Sequence, residues 1–228
     1  MHCGEAWLPA CDGARVKLVL AFHGTRDPRG IAVCSEIAAL VRPSVDVPVE
    51  VAFADVVQPD VRSVVDGPCV VVPVFLAAGY HVRVDIPAQI GRRPGVVLTS
   101  PLGLDAVPAV RDRLREAGVR RGDAVVLAAA GSSDSRALAT VRAAAALIGA
   151  AAVGYVATAT PRVPDVVAGL RGRRVAVASW LLAPGAFHGS LAECGADVVS
   201  EPVGAHPLVV DALLRKYYEA RAVLLRTA

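Results

Sequence analysis

The sequence predicts an α/β protein of two similar lobes, each a parallel β-sheet flanked by helices. Three observations lead there. Short apolar segments alternate with stretches of helical spacing along the chain, the order that builds right-handed βαβ units and parallel sheets. Apolar residues fill 54% of the 228 positions, yet aromatics fill only 4%. Small side chains at that density suit helices packed closely on a sheet buried on both faces. Finally, the chain repeats itself: VLAFHGTRDPR at 19–29 returns in register as VLAAAGSSDSR at 126–136, with His23 replaced by Ala130.

The elements follow in order. Residues 16–22 are an apolar run with strand character. Residues 28–42 have helical spacing, with Ile31, Cys34, Ile37, Ala38 and Val41 on one face. Asp27 suits the N-cap and Pro28 the first helical position; Asp134 keeps the cap in the copy. A strand over 47–54, a short helix over 59–65 and a β-branched strand over 69–74 come next, the last ending in the FLAAGYH loop. A helix is predicted over 81–92, where Pro87 must sit early or kink it. A strand at 96–98 and an amphipathic helix over 104–117 close the half. The second half repeats the order: strands at 124–129, 152–157, 174–179 and 197–199, helices at 134–148, 162–171, 184–194 and 205–224. We therefore expect an N-terminal extension (1–15), a first lobe (16–120) and a second lobe (121–228), joined near GVRRGD at 118–123.

Composition narrows the function. The net charge is +3, and Lys17 and Lys216 are the only lysines. No basic run with interleaved aromatics points to nucleic acid. No apolar stretch approaches the roughly 20 residues of a membrane span. The first residues lack the basic start and apolar core of a secretory signal, so a soluble cytoplasmic protein is expected. Cys3, Cys11, Cys34, Cys69 and Cys194 form no CxxC pair, which argues against a zinc ribbon or an iron–sulfur cluster. Neither GxGxxG nor GxxxxGK[ST] is present, which argues against a nucleotide-binding enzyme.

The residues that can carry chemistry gather at strand ends. His23, Asp55 and His81 follow the first three predicted strands, and ligands of open α/β sheets bind at the carboxyl ends of strands. Two imidazoles and a carboxylate suit a divalent first-row metal and can equally accept protons from a substrate. Each histidine taken alone is more often a packing or capping residue. The internal copy separates these readings: VAFADVVQP aligns with VGYVATATP, so Asp55 meets Ala157, and His81 meets His188 after one inserted residue. One copy has lost the first histidine and the acid, which places a single site in the first half. Gly24 and Thr25, with Gly131, Ser132 and Ser133 in the copy, stand where helix N-termini can hold an anion. If the segment is helical, Asp85 can orient His81 from four residues away; Arg83 can meet a carboxylate. His206-Pro207 reads as the start of the last helix.

AFHGTRDPRG, the acid in VAFADVVQP, and VVPVFLAAGYHVRVDIP resemble the signatures of the sirohydrochlorin chelatase family, the ATP-independent class II cobalto- and ferrochelatases. LAAAGSSDSR and VASWLLAPGAFHGSL resemble the second half of its longer, two-repeat members. The resemblance covers about residues 16–220. It implies a chelatase-like fold and insertion of Co2+ or Fe2+ into sirohydrochlorin, for cobalamin or siroheme synthesis. His23 and His81 match the family's metal-binding histidines, and Asp55 stands where glutamate is usual, one methylene shorter. The acidic tetrapyrrole would meet Gly24, Thr25, Arg26, Leu76, Ala77, Gly79, Tyr80, Arg83, Gly131, Ser132 and Ser133. No cofactor is implied beyond the substrate metal (Co2+, Fe2+ or Ni2+), and neither membrane nor nucleic-acid partners; a monomer is expected. The alternative is a non-catalytic metal or tetrapyrrole carrier derived from the same fold, for which the Asp-for-Glu change is the one hint.

Overall fold

The computed structural model describes residues 16–170 and 172–227. Two four-stranded parallel sheets form, with identical strand orders. The first runs β2-β1-β3-β4, made of β1 (Lys17–Phe22), β2 (Val49–Phe53), β3 (Cys69–Pro73) and β4 (Val96–Leu98). The second runs β6-β5-β7-β8, made of β5 (Ala124–Ala129), β6 (Ala152–Tyr155), β7 (Val175–Trp180) and β8 (Val198–Val199). Phe22 pairs with Phe53 and Ala21 with Pro73, so the first three strands end together. Ala129 pairs with both Tyr155 and Trp180 in the copy. Both sheets therefore present one edge where their loops converge.

The central strand β1 is buried on both faces, as a strand covered by helices must be. Leu18, Leu20 and Phe22 point into a core that joins both halves, while Val19 and Ala21 point into a cluster on the outer face. This is the two-residue period of a strand. The shared core also takes Leu127, Ala129, Ala178 and Trp180 from the second sheet. Helix α1 (Pro28–Val41) contributes Cys34, Ile37, Ala38 and Val41, the face predicted from spacing.

The last helix of each half crosses to the other sheet. α4 (Val107–Glu116) packs on β7, and α8 (Pro207–Thr227) packs on β3. Tyr217 on α8 is fully buried, and its hydroxyl donates to the Val16 carbonyl at 2.7 Å. Arg113 on α4 donates to the Val203 carbonyl at 3.2 Å. Truncating a core residue such as Leu213 on α8 to Ala should cost about 2–5 kcal/mol and would loosen both halves at once. His206 serves this arrangement. Its Nδ1 accepts from the Leu208 N–H at 3.2 Å at the start of α8, and its Nε2 lies 3.5 Å from Asp112 on α4.

Two helical expectations are corrected. Instead of one helix over 81–92, a π-helical turn at His81–Asp85 leads into the short α3 (Ile86–Ile90). Pro87 has no N–H to return to an α-helical partner. The wider spacing, in which the Ile86 N–H donates to the His81 carbonyl, leaves Pro87 in a first turn that needs no donor. Over 184–194 there are two short turns, α7 (Ala186–Gly189) and a 3₁₀ turn (Ser190–Glu193); Gly185, Gly189 and Ser190 give little helical propensity there. The remaining helices are α2 (Val61–Val64), α5 (Ser135–Ile148) and α6 (Val163–Gly169). No described helix is long and apolar enough to cross a membrane.

Candidate active site

Each half makes the same turn after its first strand. The Asp55 N–H donates to the His23 carbonyl at 3.0 Å, and the Ala157 N–H donates to the Ala130 carbonyl at 2.8 Å. Gly24 has φ +97° and Gly131 φ +95°. A Cβ on Gly24 would stand 2.2 Å from the Asp55 carbonyl oxygen, and one on Gly131 2.5 Å from that of Ala157. Glycine is needed at both for sign of φ and for space. Val56, just after Asp55, is held at φ +72°, a strained conformation for a β-branched residue. Thr158 repeats it at φ +35°, so the strain belongs to the duplicated turn rather than to one site.

The helix caps are duplicated as well. Asp27 Oδ1 accepts the Arg29 N–H, and Asp134 Oδ1 the Arg136 N–H, each at 2.9 Å. Thr25 Oγ1 accepts the Asp27 N–H at 3.1 Å, and Ser132 Oγ the Asp134 N–H at 3.0 Å. These backbone donors are already taken. An anion arriving at either loop would meet the free hydroxyl protons of Thr25 and Ser132 instead.

The imidazoles of His23 and His81 meet edge to face, ring centroids 4.3 Å apart. His23 is exposed and His81 half-buried. His23 Nδ1 lies 3.1 Å from the Gly24 carbonyl oxygen. A carbonyl only accepts, so Nδ1 carries the proton and Nε2 keeps its lone pair. His81 Nδ1 lies 2.6 Å from Asp85 Oδ2, which again leaves Nε2 as the free donor atom. Such partners fix ring orientation and raise ligand basicity in metal-binding histidines. The i,i+4 bond is made within the π-helical turn, a geometry often found at functional sites. Asp55 is exposed, and its Oδ1 accepts the Val56 N–H at 2.7 Å. Its backbone adjoins His23, but its carboxylate is not drawn into a three-ligand group: among the described residues no three His, Cys, Asp or Glu side chains gather as a metal site.

Both histidines line a cleft of about 640 Å³ between the halves, in the range of small-molecule sites. Phe22, Gly24, Thr25 and Gly131 share its wall; Leu181, Leu182 and the segment from Ala183 into α7 as far as His188 close it from the second half. A smaller cavity of about 280 Å³ adjoins it, shares His23, and is lined by Leu76, Ala77 and Ser132. Cys34 lies in the cleft wall, but burial pushes its thiol up to about 12, so it offers no ready thiolate. Tyr80, Arg26 and Ser133 are exposed. A Cβ on Gly79 would stand 3.9 Å from Ser132 Oγ and from Ala137 Cβ of the second half. Arg83 also crosses: its Nη1 donates to Asp134 Oδ2 at 2.7 Å. The backbone N–H of Arg136 and the Arg83 guanidinium hold the Asp134 carboxyl below its ordinary value against some desolvation.

His188 lines the same cleft but engages its other ring nitrogen. Its Nε2 lies 3.1 Å from the Ser200 carbonyl oxygen, so Nε2 carries the proton and Nδ1 the lone pair. The 183–188 segment was not among the binding residues expected from sequence, although the motif VASWLLAPGAFHGSL contains it. The alignment of His81 with His188 was the signal that could have found it.

A sequence model of the CbiX family matches this chain twice, over residues 17–117 and 124–220. The chain belongs to the CbiX family. The two CbiX matches coincide with the two sheets described above. A sirohydrochlorin cobaltochelatase of Methanothermobacter thermautotrophicus is 30% identical over 133 residues, covering 45% of this chain and 93% of the relative. One from Methanopyrus kandleri is 39% identical over 87 residues, covering 35% of this chain and 61% of the relative. SirB from Bacillus subtilis, solved with Fe3+, superposes with a TM-score of 0.79 over 91% of this chain and 96% of that one. At 22% identity it supports the two-lobed α/β fold of this CbiX member alone.

Proposed function

We propose that this chain inserts a divalent metal ion, Co2+ or Fe2+, into sirohydrochlorin without ATP. The observation that carries this reading is the pair of imidazoles 4.3 Å apart at the strand ends, each with Nδ1 engaged and Nε2 free. The names of the archaeal relatives support the substrate class. The cleft is built within one chain, which suits a monomer, and we place the enzyme in the cytoplasm.

The metal is a substrate in this scheme. Nε2 of His23 and of His81 bind it at the cleft wall; imidazole suits Co2+, Fe2+ and Ni2+ alike. Asp55 stands at the rim beside His23 and offsets the cation's charge. The flat tetrapyrrole enters against Phe22, Leu181 and Leu182, with Leu76 and Ala77 in the adjoining cavity. Its carboxylates meet Arg26 and the hydroxyls of Thr25, Ser132 and Ser133 around Gly24 and Gly131. Gly79 and Tyr80 border the entrance, and Arg83 reaches it from its bond with Asp134. Neutral ligands hold the ion loosely enough for the pyrrole nitrogens to displace them. The test is an insertion assay with purified protein and Co2+, Fe2+ or Ni2+, following loss of the free sirohydrochlorin spectrum. Turnover beyond one equivalent supports the enzyme; stoichiometric binding without turnover would show a carrier instead.

A further inference from the structure

The inference rests on the insertion chemistry proposed above and concerns the protons it releases. As the metal enters, two pyrrole N–H bonds break and metal–nitrogen bonds form, with no change of oxidation state. His23 and His81 occupy the wall of the cleft that belongs to the first half. A base on that wall would compete with the cation for the same face of the ring. The proton acceptor is better placed on the wall contributed by the second half.

We propose that His188 is that acceptor, a catalytic base. It lines the same cleft as His23 and His81, from the loop after β7 that reaches across to the first half. That segment comes close to the start of α1: a Cβ on Gly30 would stand 3.7 Å from the Pro184 carbonyl oxygen, and one on Gly185 3.8 Å from Asp27 Oδ2. The ring is half-buried, and its Nε2–H is anchored on the Ser200 carbonyl at 3.1 Å. That anchor fixes the tautomer, so the basic lone pair sits on Nδ1. The metal-facing histidines have the opposite arrangement, Nδ1 anchored and Nε2 free. In the step, a pyrrole N–H bond breaks, its electron pair stays on nitrogen for the metal, and the proton joins Nδ1 of His188. The imidazolium passes that proton to solvent, and the second proton follows by the same route. General-base assistance of this kind is worth about 10²–10⁴-fold in rate.

The test replaces His188 with Gln, whose amide N–H can keep the Ser200 contact but which has no basic nitrogen. Co2+ insertion by the His188→Gln protein should lose about 10²-fold in kcat, with Co2+ affinity and tetrapyrrole KM unchanged. His188→Ala should lose as much and regain activity with added imidazole. In the wild-type protein, ¹⁵N spectra should show His188 as the Nε2–H tautomer, an observation independent of how the variants fold. Wild-type turnover in either variant, loss that tracks metal affinity, no rescue by imidazole, or an Nδ1–H tautomer overturns the assignment. A wild-type protein that inserts no metal would instead refute the insertion reading itself.

Discussion

The turns after β1 and after β5 share their backbone closely. Gly24 and Gly131 take nearly the same positive φ and press on the carbonyls of Asp55 and Ala157; Asp27 and Asp134 cap the following helices at the same distance. Their chemistry differs. The first half carries His23, Asp55 and a His81 oriented by Asp85; the second carries Ala130, Ala157 and a His188 oriented by a backbone carbonyl. Residue 192, four after His188, is alanine, so the second half lacks even the orienting acid. What both turns keep is what the fold needs, and what the first half alone keeps, His23 and Asp55, marks the proposed metal-binding side of the cleft.

The largest effect should come from deleting the asymmetry. His23→Ala and His81→Ala should each reduce metal insertion to the uncatalysed rate with the fold intact, as read by circular dichroism and the sirohydrochlorin spectrum. Restoring the missing ring on the other side, Ala130→His in a His23→Ala background, should not recover activity, because no oriented partner with a free Nε2 faces it. Recovery there would show that the metal can be held from either half, and would end the assignment of the metal to the first.

The duplicated features should respond alike. Gly24→Ala and Gly131→Ala each force a Cβ into a carbonyl and an L-residue into positive φ. Each should cost about 3 kcal/mol or more, measured by urea unfolding. A large loss for one and none for the other would mean that the turns are not equivalent in the folding of the chain. A step smaller, Asp85→Ala should weaken Co2+ binding or insertion by about 10–100-fold, the usual cost of losing a histidine's orienting partner. Isothermal titration with Co2+ separates affinity from turnover. An unchanged affinity would show that the 2.6 Å bond from His81 does not set its ligand strength.

Much of this comparison was legible in the sequence because strands and caps are local. The VLAF and VLAA runs, Asp27 and Asp134 and their glycines all stand where their spacing put them. The selective loss of His23 and Asp55 from the copy needed only alignment. Four things needed the folded structure. The π-helical turn at His81–Asp85 arises where Pro87 removes a donor, and periodicity does not distinguish it from an ordinary helix start. The exchange of α4 and α8 between the sheets is a matter of tertiary packing, since nothing in an amphipathic helix names the sheet it will cover. The tautomers of His23, His81 and His188 depend on carbonyls and a carboxylate brought up by folding. The carboxylate of Asp55 turns onto the Val56 N–H because the loop after β2 folds back sharply, which no residue type announces.

The smallest test addresses the caps, which look identical but draw on different partners. Asp27 is held below its ordinary carboxylate value of 3.8, first by the Arg29 side chain and then by the Arg29 N–H. Asp134 is lowered first by the Arg136 N–H, with Arg83 from the other half adding to it. A carboxyl lowered in the folded state binds protons more weakly than in the unfolded chain. Its stabilisation is therefore complete above the unfolded value and lost as pH falls through the folded one. Both caps should weaken on the acid side, below about pH 4. Arg29→Ala should move the Asp27 titration up and leave Asp134 alone; Arg83→Ala should do the reverse. Carboxyl ¹³C shifts followed through an acid titration read each group separately. Exposed ion pairs contribute little to overall stability, so these shifts should appear with melting temperatures nearly unchanged. An Arg83→Ala protein in which Asp134 does not move would show that the bond between the halves is not formed in solution, and that His81's loop is not tied across the cleft.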